Sequence, residues 1–325
     1  MSATLDELSA VCLIQIRSQF NLEELDKVMF TKRARLWLGL IAAASLLSLA
    51  SSCNKTPEEG GGSEPSGKAY TSKGDEGTIS GKVSYAGTAP APIKIQTDAD
   101  PACSKASPNL TSEEWVVKDG KVANTFVYIK DGTLADGTKF GEIDGNTLPG
   151  AKKSAVVLDQ NGCHYKPHVL GVMVNQAISI TNSDPTNHNI HFMPKNSTDW
   201  NHSQLAGAGP MTYKVPKAEV LVQVKCDQHP WMKSYVGALK HPLFAVSGDD
   251  GSFTITGVPP GKYTVAAWHE GASGTPGTEQ KMEVTVAAKG AASADFQFGA
   301  SAALRGQPSS LPMLPALEVP MMGKP

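Results

Sequence analysis

From Gly77 onward the apolar runs of the chain are short, alternate with polar residues and stop at Gly, Pro, Asn or Asp: "TISGKVSY", "TFVYIKDG", "SAVVLD", "AISITN", "VLVQVK", "SFTITGV", "KYTVAAW" and "MEVTVAA" are of this kind. In an extended chain successive side chains point to opposite faces, so each run reads as a strand with one buried face. No stretch in this region sustains a helical period. The pattern predicts an all-β chain built as β-sandwiches.

Upstream the composition changes. Lys32, Arg33 and Arg35 precede the apolar run "LWLGLIAAASLLSLA", which ends at Cys53. A short basic stretch followed by an apolar run and small residues is the layout of a bacterial export signal. "ASSC" resembles a lipoprotein signal, which implies Cys53 as a lipidated residue and residues 1–53 as a leader, with Met29 as an alternative start. Residues 54–76 are polar and rich in Gly, Ser, Pro and Glu, and read as a flexible tether. The proline-rich residues 300–325 read as a disordered tail. A formal net charge of −2 and the lack of a basic run give no support to a nucleic-acid partner.

Outside the cytoplasm, cysteines tend to pair. With Cys12 and Cys53 in the leader, Cys103, Cys163 and Cys226 remain. We expect Cys103 to bridge Cys163 and Cys226 to stay free; the alternative is that Cys103 and Cys163 are both buried thiols, since spacing does not fix connectivity.

The stretch "VLVQVKCDQHPWM" gives Cys226 a chemical setting. Alternation puts Val220, Val222, Val224 and Cys226 on one strand face, and Leu221, Gln223 and Lys225 on the other. His229 and Met232 fall in the turn that follows. A thiol, an imidazole and a thioether make a soft donor set, and a second imidazole would complete the His₂Cys site with a weak Met that suits type 1 copper. In "NHNIHF" the alternation places His188 with Ile190 and Phe192, which makes it the inward candidate, and leaves His191 outward. His164, His168, His202, His241 and His269 have no partner at ligand spacing.

At these residues the chain resembles the cupredoxins, and their amicyanin branch in particular: "NHNIHF" is similar to the family's first-histidine strand and "CDQHPWM" to its short Cys-x2-His-x2-Met loop. The likeness spans about 151–240. It implies a copper site with His188, Cys226, His229 and Met232 as ligands, and Asn189 as the residue whose backbone N–H bonds the sulfur. Gln228 stands where relatives often carry proline, and so offers the sulfur a further N–H.

"DDGSFTITGVPPGKY" resembles a second family, the carboxypeptidase-regulatory-like or transthyretin-like sandwich. "ISGKVSYAG" and "NTFVYIKDG" fit that family's opening strands but precede the copper segment. We therefore expect one Ig-like sandwich over 77–150 plus 241–299, interrupted by a cupredoxin Greek-key sandwich; consecutive sandwiches are the alternative.

No Ser-His-Asp order, phosphate loop or second copper set is present, so an enzyme is not expected. The expected function is an exported, lipid-anchored blue-copper carrier of single electrons in the periplasm or at the outer cell surface. Its partners would be a cytochrome c or a periplasmic dehydrogenase, and the exposed edge of His229 its electron port. The rival is a non-redox copper- or carbohydrate-binding lipoprotein.

Overall fold

A computed structural model of the chain describes residues 67–151, 154–272 and 277–299. The leader, Cys53, most of the tether and the tail lie outside them. The described residues belong to one compact unit. They are all-β apart from the six-residue helix Pro101–Ala106 and two 3₁₀ turns. None of their helices is long and apolar enough to cross a membrane.

Four sheets pack as two sandwiches. In the outer one, a four-stranded sheet orders Phe244–Val246, Phe126–Leu134, Gly261–His269 and Thr278–Val286. Its facing sheet centres on Gly77–Ala86, which pairs antiparallel with Ser252–Val258 and parallel with Ala291–Ser293 and Phe296–Gly299. Strands from before residue 135 and after residue 243 thus share both sheets.

The chain between them forms the inner sandwich. One sheet orders Met211–Lys214, Ala177–Asn182, Val156–Gln160 and Tyr165–Lys166. The other orders Trp200–Gln204, His188–Met193, Glu219–Lys225, Lys233–Leu239 and Val169–Met173. The alternating apolar positions Leu158, Ile178, Ile180, Ile190, Phe192, Val222 and Val224 fill the space between the sheets.

A separate apolar cluster joins the sandwiches. Phe126, Tyr128 and Ala266 of the outer one meet Val169, Leu221 and Leu239 of the inner one. This explains a departure from simple alternation. The register shifts between Glu219 and Val222, so Val220 packs with Leu221 against the joining cluster instead of entering the core with Val222.

The polar segment is docked from Lys68 onward. Lys68–Ala69 pairs with Ile143–Asp144, the Tyr70 N–H donates to Thr147 Oγ1 at 2.7 Å, and the Tyr70 ring packs on the outer core. Two strand pairings, one backbone-to-hydroxyl hydrogen bond and one aromatic ring dock that end of the polar segment.

Candidate metal centre

Cys226 directly follows the strand Glu219–Lys225, and Met232 directly precedes Lys233–Leu239. The intervening loop is closed by its own backbone: the Cys226 N–H donates to the Met232 carbonyl at 3.1 Å, and the Met232 N–H to the His229 carbonyl at 2.9 Å. His188 opens the neighbouring strand. Strand pairing brings it to the same end of the inner sandwich as the loop.

His188, Cys226 and His229 converge there, buried, with their donor atoms within 4.8 Å of one another. His188 Nδ1 lies 3.0 Å from His229 Nδ1, and Cys226 Sγ lies 3.7 Å from the same His229 atom. Met232 is fully buried in the core that holds Cys226. His191 lies elsewhere, on the other strand face between Asp199 and Asp227, each at 3.2 Å.

The outer nitrogens of both imidazoles are held by carboxylates. His188 Nε2 is 2.9 Å from Asp184 Oδ2, and His229 Nε2 is 3.1 Å from Asp100 Oδ2. A ring proton on Nε2 satisfies each carboxylate and leaves a lone pair on each Nδ1. Two lone pairs 3.0 Å apart beside a sulfur repel unless a cation lies among them. In the metal-free protein that cation is a proton on His188. Burial disfavours it, but hydrogen bonds to Asp184 and Cys226 outweigh burial and raise the His188 pKa to about 9.

Cys226 shows a similar balance. Burial pushes its thiol up, while His188 and the backbone N–H groups of Asn189, His229 and Gln228 outweigh burial and hold it below the ordinary thiol value. The Asn189 side chain ties the two ligand-bearing segments together: its Oδ1 accepts from the Asp227 N–H at 2.7 Å, and its amide donates to Asn201. Asp227, beside the loop, bonds Lys225 at 2.9 Å and Asn201 at 2.9 Å.

The donor set fits a single soft metal ion. Nitrogen ligands sit about 2.0 Å from such an ion, so two on one ion lie within about 4 Å of each other, and the two Nδ1 atoms do. Two imidazole nitrogens, one thiol with a lowered pKa and a neighbouring thioether are the donors that type 1 copper takes.

Two features depart from the sequence reading. His229 is only 5 % exposed, so it offers no open edge. Asp100, at the start of the helix Pro101–Ala106, a segment preceding the inner sandwich in sequence, meets its outer nitrogen, and the Trp231 ring packs on it at 5.1 Å. Neither Asp100 nor Asp184 was singled out from sequence, although "ADP" at 99–101 carries a helix N-cap signal and Asp184 stands four residues before His188.

Cys103 and Cys163 form a disulfide with Cα atoms 5.5 Å apart. Among the described residues Cys226 is the free cysteine. The remaining histidines stand apart from the donor cluster. His168 pairs with Glu270, and His269 stacks on Trp115 at 4.0 Å, where burial lowers its pKa to about 4.

Residues 234–294 match the family model for domain II of polysaccharide lyase family 4, of fibronectin type III kind. No curated protein matches the chain. Among solved structures, a copper(I) amicyanin variant aligns at 19 % identity over 28 % of this chain and 96 % of that one, with a TM-score of 0.24. A purple cupredoxin from Nitrosopumilus maritimus aligns at 19 % identity over 26 % of this chain and 98 % of that one, with a TM-score of 0.23. The copper-containing nitrite reductase from Thermus scotoductus SA-01 aligns at 17 % identity over 26 % of this chain and 22 % of that one, with a TM-score of 0.24.

Proposed function

We propose that this chain is a single-copper protein that carries electrons, with His188, Cys226, His229 and Met232 as the ligand set. The observation that supports it most is the meeting of two carboxylate-backed imidazoles and a low-pKa thiol in one buried cluster. A copper ion held there would supply one-electron exchange between Cu(II) and Cu(I).

The chain's own residues set the conditions for that exchange. Asp184 and Asp100 keep the ring protons on the outer nitrogens, so both inner nitrogens are free to bind. N–H groups of Asn189, His229 and Gln228 stabilise negative charge on Cys226. Flanking strands fix the loop at both ends, so the ligands have little room to rearrange. Burial of His188 and His229 excludes water.

In this reading the protein acts outside the cytoplasm, held to a membrane through Cys53, and exchanges electrons with a cytochrome c or a periplasmic dehydrogenase. The basic-apolar leader ending at Cys53 supports export, and the disulfide agrees with an oxidising compartment. The outer sandwich we read as carboxypeptidase-regulatory-like, on Asp249-Asp250-Gly251-Ser252-Phe253 and Pro259-Pro260-Gly261-Lys262-Tyr263. A non-redox copper-holding role uses the same ligands, and the burial of His229 favours it.

Titration with Cu(II) tests the proposal. It predicts an intense visible thiolate-to-copper charge-transfer band that saturates at one equivalent, bleaches on reduction and returns on oxidation. A colourless complex would refute it, and a coloured one that cannot be cycled would favour the holding role.

A further inference from the structure

The Cys103–Cys163 disulfide lies between the two carboxylates that hold the imidazoles. Asp184 accepts the N–H groups of Gly162 at 2.7 Å and Cys163 at 2.8 Å, and its Oδ2 meets His188. Asp100 accepts the N–H of Ala102 at 2.7 Å and, at 3.4 Å, that of Cys103; its Oδ2 accepts from Thr186 Oγ1 at 2.8 Å and meets His229. Each half of the bridge thus sits beside one carboxylate and the imidazole it backs, with Asp100, Cys103 and His229 donor atoms within 4.8 Å of one another, and likewise those of Cys163, Asp184 and His188.

The two ends differ in origin. Asp184 and Cys163 belong to the inner sandwich. Asp100 and Cys103 come from the excursion after Gly77–Ala86, a strand of the outer sandwich. Besides the bridge, that excursion is fixed here by Ser107 Oγ donating to the Gly162 carbonyl at 2.8 Å and by the Thr186 bond.

We propose that Asp100 is a positioning residue of the metal centre, supplied from outside the sandwich that carries the ligands, and that the Cys103–Cys163 disulfide keeps it in place. By accepting the His229 Nε2 proton, Asp100 selects the tautomer with a bare Nδ1 and turns that atom toward Cys226. By meeting Nε2 it also closes that edge of the ring to solvent. The proposal rests on the copper reading for its effect on potential, but the placing of His229 precedes any metal.

The test uses the full chain with three changes. Asp100→Asn removes the charge at constant shape. Asp100→Ser keeps a good helix N-cap but is too short to reach His229. Cys103→Ser with Cys163→Ser removes the bridge. In metal-free wild type, nitrogen-15 spectra of the His229 ring should show the Nε2-protonated tautomer, and Asp100→Ser should mix the tautomers. In copper-loaded protein, Asp100→Asn should raise the reduction potential while keeping the visible band, because a carboxylate beside a ligand favours Cu(II). Capture of Cu(I) by bathocuproine disulfonate should be at least about tenfold faster in Asp100→Ser and in the bridge-free variant, a barrier change of about 1.4 kcal/mol.

Wild-type His229 protonated on Nδ1, or an Asp100→Asn potential equal to that of wild type, would overturn the positioning role. A bridge-free variant that releases copper as slowly as wild type would overturn the role given to the disulfide. Absence of a thiolate-copper band in wild type would refute the copper reading alone, since the ring spectra decide the placing of His229 without metal.

Discussion

His188 Nδ1 and His229 Nδ1 stand 3.0 Å apart, each ring backed at Nε2 by a carboxylate. In the metal-free protein a proton relieves their repulsion, and a metal ion that also binds Cys226 relieves it more fully. Copper at about a thousand times its dissociation constant should add about 4 kcal/mol, which is roughly 10 °C in thermal midpoint for a protein of this size. Scanning calorimetry with copper and with chelator checks this. His188→Ala should lose most of the difference; a copper-induced rise of equal size in that variant would place the metal elsewhere.

The Gln228 backbone N–H is among the groups that hold the Cys226 thiol below its ordinary pKa. A hydrogen bond to the ligand sulfur withdraws electron density and stabilises Cu(I), and proline cannot make it. Gln228→Pro should therefore lower the reduction potential, by about 40 mV for a bond with a net worth of about 1 kcal/mol. Asp227→Asn should raise it by less, because Lys225 at 2.9 Å already offsets the Asp227 charge. Voltammetry that finds Gln228→Pro unchanged or higher would show that this N–H does not tune the sulfur.

The Cys103–Cys163 bridge closes a long loop, its ends separated by 60 in sequence. On chain-entropy grounds, replacing both cysteines by serine should cost about 4 kcal/mol of stability. Urea unfolding of oxidised wild type against the double variant measures it. Equal midpoints would mean that the excursion holding Asp100 is fixed by Ser107, Thr186 and packing alone.

Glu270, whose side chain is 5 % exposed, meets His168 and lies 3.2 Å from Lys233. Burial pushes its carboxyl up, but His168 and Lys233 outweigh burial and hold its pKa below the ordinary value. A depressed carboxylate stabilises the fold above its unfolded pKa, about 4.3, and that contribution is lost as pH falls through the folded value. Glu270→Gln should cost about 3 kcal/mol at neutral pH, and the two proteins should converge in stability on acidification below about pH 4. Urea midpoints across that range test it. A gap that stays constant would show that charge on Glu270 is not what stabilises the contact.

Much of this was legible in the sequence because it depends on local order. The alternation in "VLVQVKC" and "NHNIHF" fixes which side chains enter the core. It places His188 and Cys226 inward and His191 outward, as the strand faces are found. Val220 escaped this logic because the register shift after Glu219 follows from packing against the outer sandwich, which no local pattern encodes. Asp100 and Asp184 escaped for a related reason. Asp100 meets His229 across a sequence separation of 129, and only the folded excursion joins them. The same contact hides the His229 edge that the sequence alone would leave open to a partner.

In the proposed site one ion is held by two imidazole nitrogens and one thiol sulfur. X-ray absorption at the copper edge, on protein loaded with one equivalent, measures those donors directly. Two nitrogen scatterers and one short sulfur scatterer are expected, with the sulfur lost in Cys226→Ser and one nitrogen lost in His229→Ala. A spectrum of nitrogen and oxygen donors alone, or a sulfur signal that survives in Cys226→Ser, would contradict it.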